Sequence, residues 1–381
     1  MSIFLRPLRT DQDWLKCQSE VEQLEKRCPE DCYQNWRFQY EAWKVLSKGN
    51  PAWLLGFVKN NELSGAMFLL ESESVRRRVR FKTLRSMDFA VMHAPPMIVP
   101  TEYEKEAARA LAVNRRLLAR ATGADLVTLY KLNKHRSEAL RLELERRWLP
   151  HEHKTFNISY QIDLSEGVET YLKTKKRKSI YNIRRSMRLL EEAVGGELHL
   201  ERYRGTGFGN PAFEAAWKSF EALREQSWQL EAAKNVGEKY PVQLQNFFSE
   251  LVHDWGNRGW LDLVLLKRED RLLAGQVNAI IGSTQWVILM AFARDLSEFS
   301  PGRVLLYRQL ADSYERGDRL IILGGESDSG KQFWANQFET TLELSWPLAS
   351  TKAFAWSLMR LAKRGTPKVE VPKPDINPPE E

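Results

Sequence analysis

WLLGFVKNNELSGAMFLL at residues 53–70 and LDLVLLKREDRLLAGQVNAII at residues 261–281 decide how this chain is read. Each is an apolar run, a polar turn and a second apolar run carrying one glycine. The first turn lies at Lys59 to Glu62 with Gly65 after it, the second at Lys267 to Asp270 with Gly275 after it. Apolar runs separated by a short polar turn predict a β-hairpin. The same hairpin in both halves of a 381-residue chain predicts a duplicated unit.

The repeat extends outward. EKEAARALAVNRRLLARATGADLVTLY (104–130) reads as one amphipathic helix, a stop at Gly123 and a strand from Ala124 to Tyr130. Its partner VLLYRQLADSYERGDRLIILGG (304–325) carries an apolar stripe of Leu306, Tyr307, Leu310 and Tyr314, a stop at Gly317 and a strand from Arg319 to Leu323. Each half therefore reads hairpin, helix, strand. Between them DLSEGVETYLKTKKRKSIYNIRRSMRLLEEA (163–193) predicts a helical pair, with Ile180, Ile183, Met187 and Leu190 on one face. Lys173, Lys175, Lys176, Arg177, Lys178, Arg184, Arg185 and Arg188 make the rest strongly basic, and the interleaved Tyr171 and Tyr181 are candidates to stack on bases or sugars. A strand ELHLERYR (197–204) follows, then the loop GTGFGNP and a helix that starts at Asn210 as cap and Pro211 as first residue. The glycines Gly205, Gly207 and Gly209 have the wrong spacing for a dinucleotide fingerprint. GTPKVEVPKPDINPPEE (365–381) is rich in proline and charge and predicts a disordered tail.

Composition narrows the function class. The apolar fraction is 43% and the charged fraction 28%, the balance of a globular protein. No run is apolar enough to span a bilayer and the start MSIFLRPLRT lacks a signal-peptide core, so a cytoplasmic protein is expected. Cys17, Cys28 and Cys32 read as free thiols, and His151 and His153 lack companions at metal spacing, so no metal is expected. The net charge of +7 favours an anionic partner: nucleic acid, a membrane surface or a phosphorylated cofactor.

One segment suits a phosphorylated cofactor. In FSPGRVLLYRQL (299–310), Ser300, Pro301 and Gly302 form a tight turn at a helix start, where backbone N–H groups attract phosphate, and Arg303 adds a donor before Val304. The strand WVILMAFA (286–293) feeds this turn, and Ala291, Phe292 and Ala293 at its end are candidates to pair with an extended ligand arm. The corresponding segment of the first half, HAPPMIVP (93–100), has Pro95 and Pro96 and no glycine, so it lacks the amides a pyrophosphate needs.

These residues resemble the GNAT acyltransferase superfamily, in particular its CelD-like branch linked to cellulose and polysaccharide biosynthesis, over roughly residues 40 to 345. The resemblance rests on Ser300, Pro301, Gly302, Leu305 and Leu306, on Gly317, and on ILGGESDSGK (322–331), where Leu323, Gly324 and Lys331 match the branch while Ile322 replaces an aspartate and Gly330 a tyrosine. It also rests on the basic helix and on Glu225, Ser227 and Trp228, which stand here as Glu-x-Ser-Trp. The tandem layout is similar to FemAB-type transferases, which use aminoacyl-tRNA.

The resemblance implies an α/β (α+β) chain of two tandem GNAT-like domains, each a mixed sheet flanked by helices. The first, 1–160, is expected to be non-catalytic, and the second, 161–364, to hold acetyl-CoA or another acyl-CoA as cosubstrate. Transfer needs a base, for which Glu225 and Asp328 are the candidates. Trp228, Glu326 and Lys331 are candidate acceptor ligands, for a small-molecule or sugar acceptor. Two other readings are an aminoacyl-tRNA-dependent transferase that uses the basic run, and a degenerate pair that binds without turnover.

Overall fold

A computed structural model describes residues 1–28, 35–47, 49–76, 79–87, 97–226, 240–325 and 329–361. The chain divides into two compact units. Of the described residues, one comprises 1–159 together with 339–361, and the other 160–338. Both are mixed α/β units, each with a sheet flanked by helices.

The first unit opens with β1 (Ser2–Leu8) and α1 (Asp11–Glu25), which the sequence reading did not anticipate. Helix α1 starts with a reciprocal cap: the Asp13 amide donates to Thr10 Oγ1, and the Thr10 amide to the Asp13 carboxylate. After α2 (Trp36–Leu46) comes the predicted hairpin, β2 (Ala52–Lys59) and β3 (Glu62–Arg76), paired Lys59 to Glu62 through a turn with Asn60 and Asn61 at positive φ. β4 (Val79–Ser86) continues the antiparallel order, and a short β5 (Met97–Ile98) takes up pairing with β3 further along.

The helix expected over 104–122 is two helices, α3 (Glu104–Val113) and α4 (Arg115–Thr122). The break falls on Asn114, whose side-chain amide donates to the Ala110 carbonyl at 2.8 Å and competes with the backbone for it. Gly123 ends α4 in the left-handed conformation, as expected. β6 (Leu126–Leu132) then runs parallel to β4 over three residues, Thr83 to Arg85 against Leu126 to Thr128. α5 (Lys134–Glu145) and β7 (Glu152–Asp163) follow.

Sequence position misled at the far end. The stretch from Glu339 to Leu361 packs with the first unit, not with the second domain in which the sequence reading placed it. The later part of β13 (Gln337–Pro347) pairs antiparallel with β6, and Leu344 and Trp346 enter the core with Leu55, Phe57 and Leu129. Helix α12 (Thr351–Leu361) adds Trp356 against Phe81 and Leu126. Asp125 fixes this return, accepting from the Lys82 amide and from Ser350 Oγ.

In the second unit, α6 (Val168–Lys173) and the basic α7 (Arg177–Val194) precede β8 (His199–Arg204), α8 (Pro211–Glu225) and α9 (Tyr240–Asn257). The second predicted hairpin is β9 (Leu261–Arg268) with β10 (Arg271–Ile281), followed by β11 (Thr284–Phe292), α10 (Pro301–Glu315), β12 (Leu320–Gly324) and α11 (Ser329–Trp334). The sheet order is β8-β9-β10-β11-β12, with the end of β7 beyond β12.

Its two faces differ. Gly275 points toward α8, where a Cβ would lie 2.5 Å from the Phe220 ring, so only glycine admits that contact. The other face is polar and fully buried, with Asp262, Gln276, Asn278 and Gln285 beneath Gln309 and Ser313 of α10. Arg202 grips Asp262 with two bonds of 2.7 and 2.8 Å and reaches Asp312 at 2.5 Å, while Arg204 pairs with Asp318. Asn278 donates to Asp262 at 2.9 Å.

Among the described residues no helix is long and apolar enough to cross a membrane, and no cluster of three metal-binding side chains occurs. Cys17 and Cys28 are buried; the Cys17 thiol donates to the Trp14 carbonyl, and burial pushes it up to about 11. Cys32 and the tail 362–381 lie outside the described residues. His151 meets the Leu149 carbonyl, and His153 meets Ser137 Oγ.

Candidate functional site

The second unit contains one strand whose edge is half used. β11 pairs antiparallel with β10 as far as Phe292, but pairs with β12 only at Thr284, Gln285 and Trp286. From Val287 to Phe292 its second edge has no strand partner among the described residues. An extended ligand arm with amide groups is the natural occupant of such an edge.

The chain leaves this strand through a single turn of 3₁₀ helix, Arg294–Phe299, and reaches Ser300. Ser300 has φ +54°, a left-handed conformation that a serine adopts at a cost of about 1 kcal/mol or more. Its carbonyl accepts from the Arg303 and Val304 amides, and its hydroxyl makes no cap bond. Pro301 has no N–H. The Gly302 amide is therefore the first-turn donor of α10 without an intrahelical acceptor. A Cβ at Gly302 would lie 3.0 Å from Met290 Sδ and 3.6 Å from the Phe292 ring, which puts the turn directly against the end of β11.

The predicted cofactor residues thus divide. Ser300, Gly302 and the exposed Arg303 cluster at the turn. Ala291, Ala293 and Val304 are buried; the Ala293 amide donates to Leu273, and the Val304 amide is taken by Ser300. Helix α7 packs on α10, and Arg184 Nε donates to the Tyr307 hydroxyl at 3.0 Å. A cavity of about 110 Å³ lies there, lined by Ser179, Asn182, Ile183, Ser186, Ser300, Arg303 and Phe333.

The basic run is not uniformly displayed. Lys175 turns inward, donates to the Ala335 carbonyl at 2.7 Å and lies over the Tyr171 ring, and burial pulls its ammonium down to about 8. Tyr171, expected to stack on bases, is instead buried, with its hydroxyl on the Trp334 carbonyl at 2.6 Å. Its ring serves the core, because the residue falls on the inward face of α6. Tyr181 remains 63% exposed.

On the α8 side, Glu225 is the exposed last residue of the helix. Trp228, Glu326 and Asp328 lie outside the described residues. Lys331 is half-buried and donates to the Gly325 carbonyl at 2.6 Å. The sequence reading missed two neighbours of Glu225. Glu221, one turn earlier, is half-buried, and burial raises its carboxyl, with Glu225 adding to the shift and Arg224 opposing it. Arg224 is only 2% exposed, and among the described residues its Nε and Nη2 find no acceptor. Glu221 lies 3.9 Å from it, and it lies 5.6 Å from the Phe248 ring centre. Glu221 follows Phe220 directly and Arg224 and Glu225 come one turn later, and Phe220 covers Gly275, the register partner of Ala291 near the end of β11. A Glu-x-x-Arg near the end of a helix reads as an ordinary surface pair, and nothing local marks its burial.

Residues 175–333 match the family model of the acetyltransferase (GNAT) domain. The chain is also similar to solved structures. The C-terminal domain of a putative lysylphosphatidylglycerol synthetase from Agrobacterium fabrum matches with 12% identity and a TM-score of 0.52, over 92% of this chain and 96% of that one. A conserved protein of unknown function from Bacteroides thetaiotaomicron matches with 9% identity and a TM-score of 0.52, over 91% and 100%. FemX matches with 14% identity and a TM-score of 0.48, over 89% and 98%. No curated protein matches the chain. The family match falls within the second unit, and at these identities the structural likeness speaks to fold alone.

Proposed function

We propose that the chain is an acyl-CoA-dependent acyltransferase whose donor lies along the open edge of β11, with its pyrophosphate at the Gly302 turn. The observation that carries this reading is the six-residue edge from Val287 to Phe292 leading directly to a helix start that Gly302 holds against Met290. The edge supplies amides and carbonyls for a pantetheine arm, and the helix start supplies positive potential for phosphate. Transfer proceeds directly. The acceptor amine or hydroxyl loses its proton to a carboxylate and attacks the thioester carbonyl, the C–S bond breaks, and CoA leaves as the thiol after protonation. Glu221 is the stronger base candidate because its raised carboxyl suits proton uptake nearer neutral pH, with Glu225 and Asp328 as the other candidates. A sugar or cell-surface precursor as acceptor, and a CelD-like role in polysaccharide synthesis, extend this reading, and the first unit serves without a catalytic site.

The test is thermal unfolding with CoA, acetyl-CoA and a long-chain acyl-CoA, for the wild type and Gly302→Asp. Ligand at about 100 times its dissociation constant adds roughly 2.7 kcal/mol, a shift of a few degrees. The aspartate repels phosphate and its Cβ crowds Met290, so the variant loses the ligand shift, measured against its own ligand-free Tm. No shift of the wild type with any CoA species sinks the reading and turns attention to aminoacyl-tRNA as donor.

A further inference from the structure

Because α7 packs over the first turn of α10, any phosphate group near that turn also meets α7. Ser179, Asn182 and Ser186 stand at i, i+3 and i+7, a spacing that puts three small polar side chains on one strip of the helix. All three line the cavity that Ser300 and Arg303 close from the other side. Lys178 and Arg185 stand four residues before and three after Asn182, so they border this strip, and both are exposed. Arg184 holds Tyr307 and Arg188 lies 3.7 Å from Glu192, while Arg177 is exposed at the start of the helix. No acidic side chain pairs with Lys178, Arg185 or Arg303 among the described residues. A cavity with neutral donors inside and unpaired cations at its border is built for a compact, highly charged anion.

We infer that the cavity between α7 and α10 seats a phosphate monoester, the terminal phosphate on the nucleotide half of a CoA-type ligand. Asn182, Ser179 and Ser186 donate to its oxygens, and Lys178, Arg185 and Arg303 supply the countercharge. A monoester carries about −1.5 to −2 at neutral pH and three strong acceptor oxygens, which matches three neutral donors and three cations. A volume of about 110 Å³ suits a terminal group rather than a polynucleotide backbone running through. This inference rests on the acyl-CoA reading and assigns the basic helix to the cofactor rather than to nucleic acid.

The experiment is calorimetric titration of the full chain with CoA and with 3′-dephospho-CoA. CoA binds tighter by about tenfold or more, the worth of one charge-assisted contact set. The double variant Lys178→Ala/Arg185→Ala brings the two ligands within about twofold, and Asn182→Ala weakens CoA more than dephospho-CoA. Arg188→Ala, whose guanidinium is already engaged by Glu192, leaves the ratio unchanged. These side chains are surface groups, and the Tm of each variant verifies the fold. Equal affinity of the wild type for the two ligands, or a preference that survives the double variant, overturns the inference and leaves the acyl-CoA reading standing. Failure of both ligands to bind overturns both.

Discussion

Both units run a hairpin into a third strand that pairs parallel with a later strand over three residues, and they differ in what that third strand does next. In the first unit β4 stops at Ser86, one residue past its parallel pairing, and β5 takes over alongside β3. In the second unit β11 runs six residues past its last parallel partner, Trp286, without a break. Among the described residues, β11 is thus the third strand that passes from a parallel partner to an open edge within one run. The interiors differ in the same sense. The first unit's sheet lies in an apolar core of Leu55, Phe57, Met67, Leu69 and Leu111, whereas the second buries Arg202, Asp262 and Asn278 under α10. The lesson is that duplication preserved the layout, while the capacity to hold a polar ligand depends on where one strand ends and on which side chains fill the layer behind it.

The comparison breaks most visibly at Asp262. Its carboxylate accepts from Arg202, Arg204 and Asn278 with no exposure. Asp262→Ala removes the buried carboxylate that Arg202 and Arg204 share, leaving them only Asp312 and Asp318, and costs about 3–5 kcal/mol, read by urea unfolding. A loss below about 1 kcal/mol, the size of a surface pair, shows that this cluster does not hold α10 to the sheet.

Glu221→Gln sharpens the functional side. If Glu221 takes the acceptor proton, turnover falls by about 10²-fold with KM for acyl-CoA little changed. The wild-type rate falls as pH drops through a value above the ordinary glutamate range, because the base must be ionised. The stability effect has the opposite sign. A carboxyl raised by folding contributes stability below its unfolded pKa and loses it as pH rises through the folded value, so the charged Glu221 disfavours the fold at neutral pH. The amide variant therefore melts at or above the wild-type temperature at neutral pH while losing rate. Unchanged turnover transfers the role to Glu225 or Asp328.

Arg224→Met tests whether the second unit tolerates unpaired charge for structural reasons alone. Removing a buried guanidinium with two orphan N–H groups is neutral or raises stability by about 1 kcal/mol or more, opposite in sign to the loss at Asp262. A large destabilisation means Arg224 supports α8 through Phe248. The smallest effect belongs to the first unit: Asn114→Ala removes the side chain that competes for the Ala110 carbonyl and gains a few tenths of a kcal/mol. A loss of stability indicates that the break between α3 and α4 is required by packing.

The hairpins and the α10 turn were legible because their signals are local. Alternation around a two-residue turn, a proline at a first helical position and a glycine at a left-handed stop act within a few residues. Helix α1 was passed over although its Thr10–Asp13 cap is equally local, and the split at Asn114 was hidden because the apolar pattern continues through it. Of the site, the sequence marked Ser300, Gly302 and Arg303. It could not separate them from Val304, whose burial depends on what α10 packs against.

The sequence by itself determined the repeated hairpin–helix–strand order and the Ser-Pro-Gly turn that opens α10. Tertiary structure decided the rest. It returned residues 339–361 to the first unit, because β13 finds its hydrogen-bond partners on β6. It buried Tyr171 and Lys175 out of the basic run and brought Ser179, Asn182 and Ser186 opposite Arg303. The physical reason is common to all three. Which edge a strand pairs with, and which face of a helix stays wet, depend on groups distant in the chain, and no local pattern encodes their meeting.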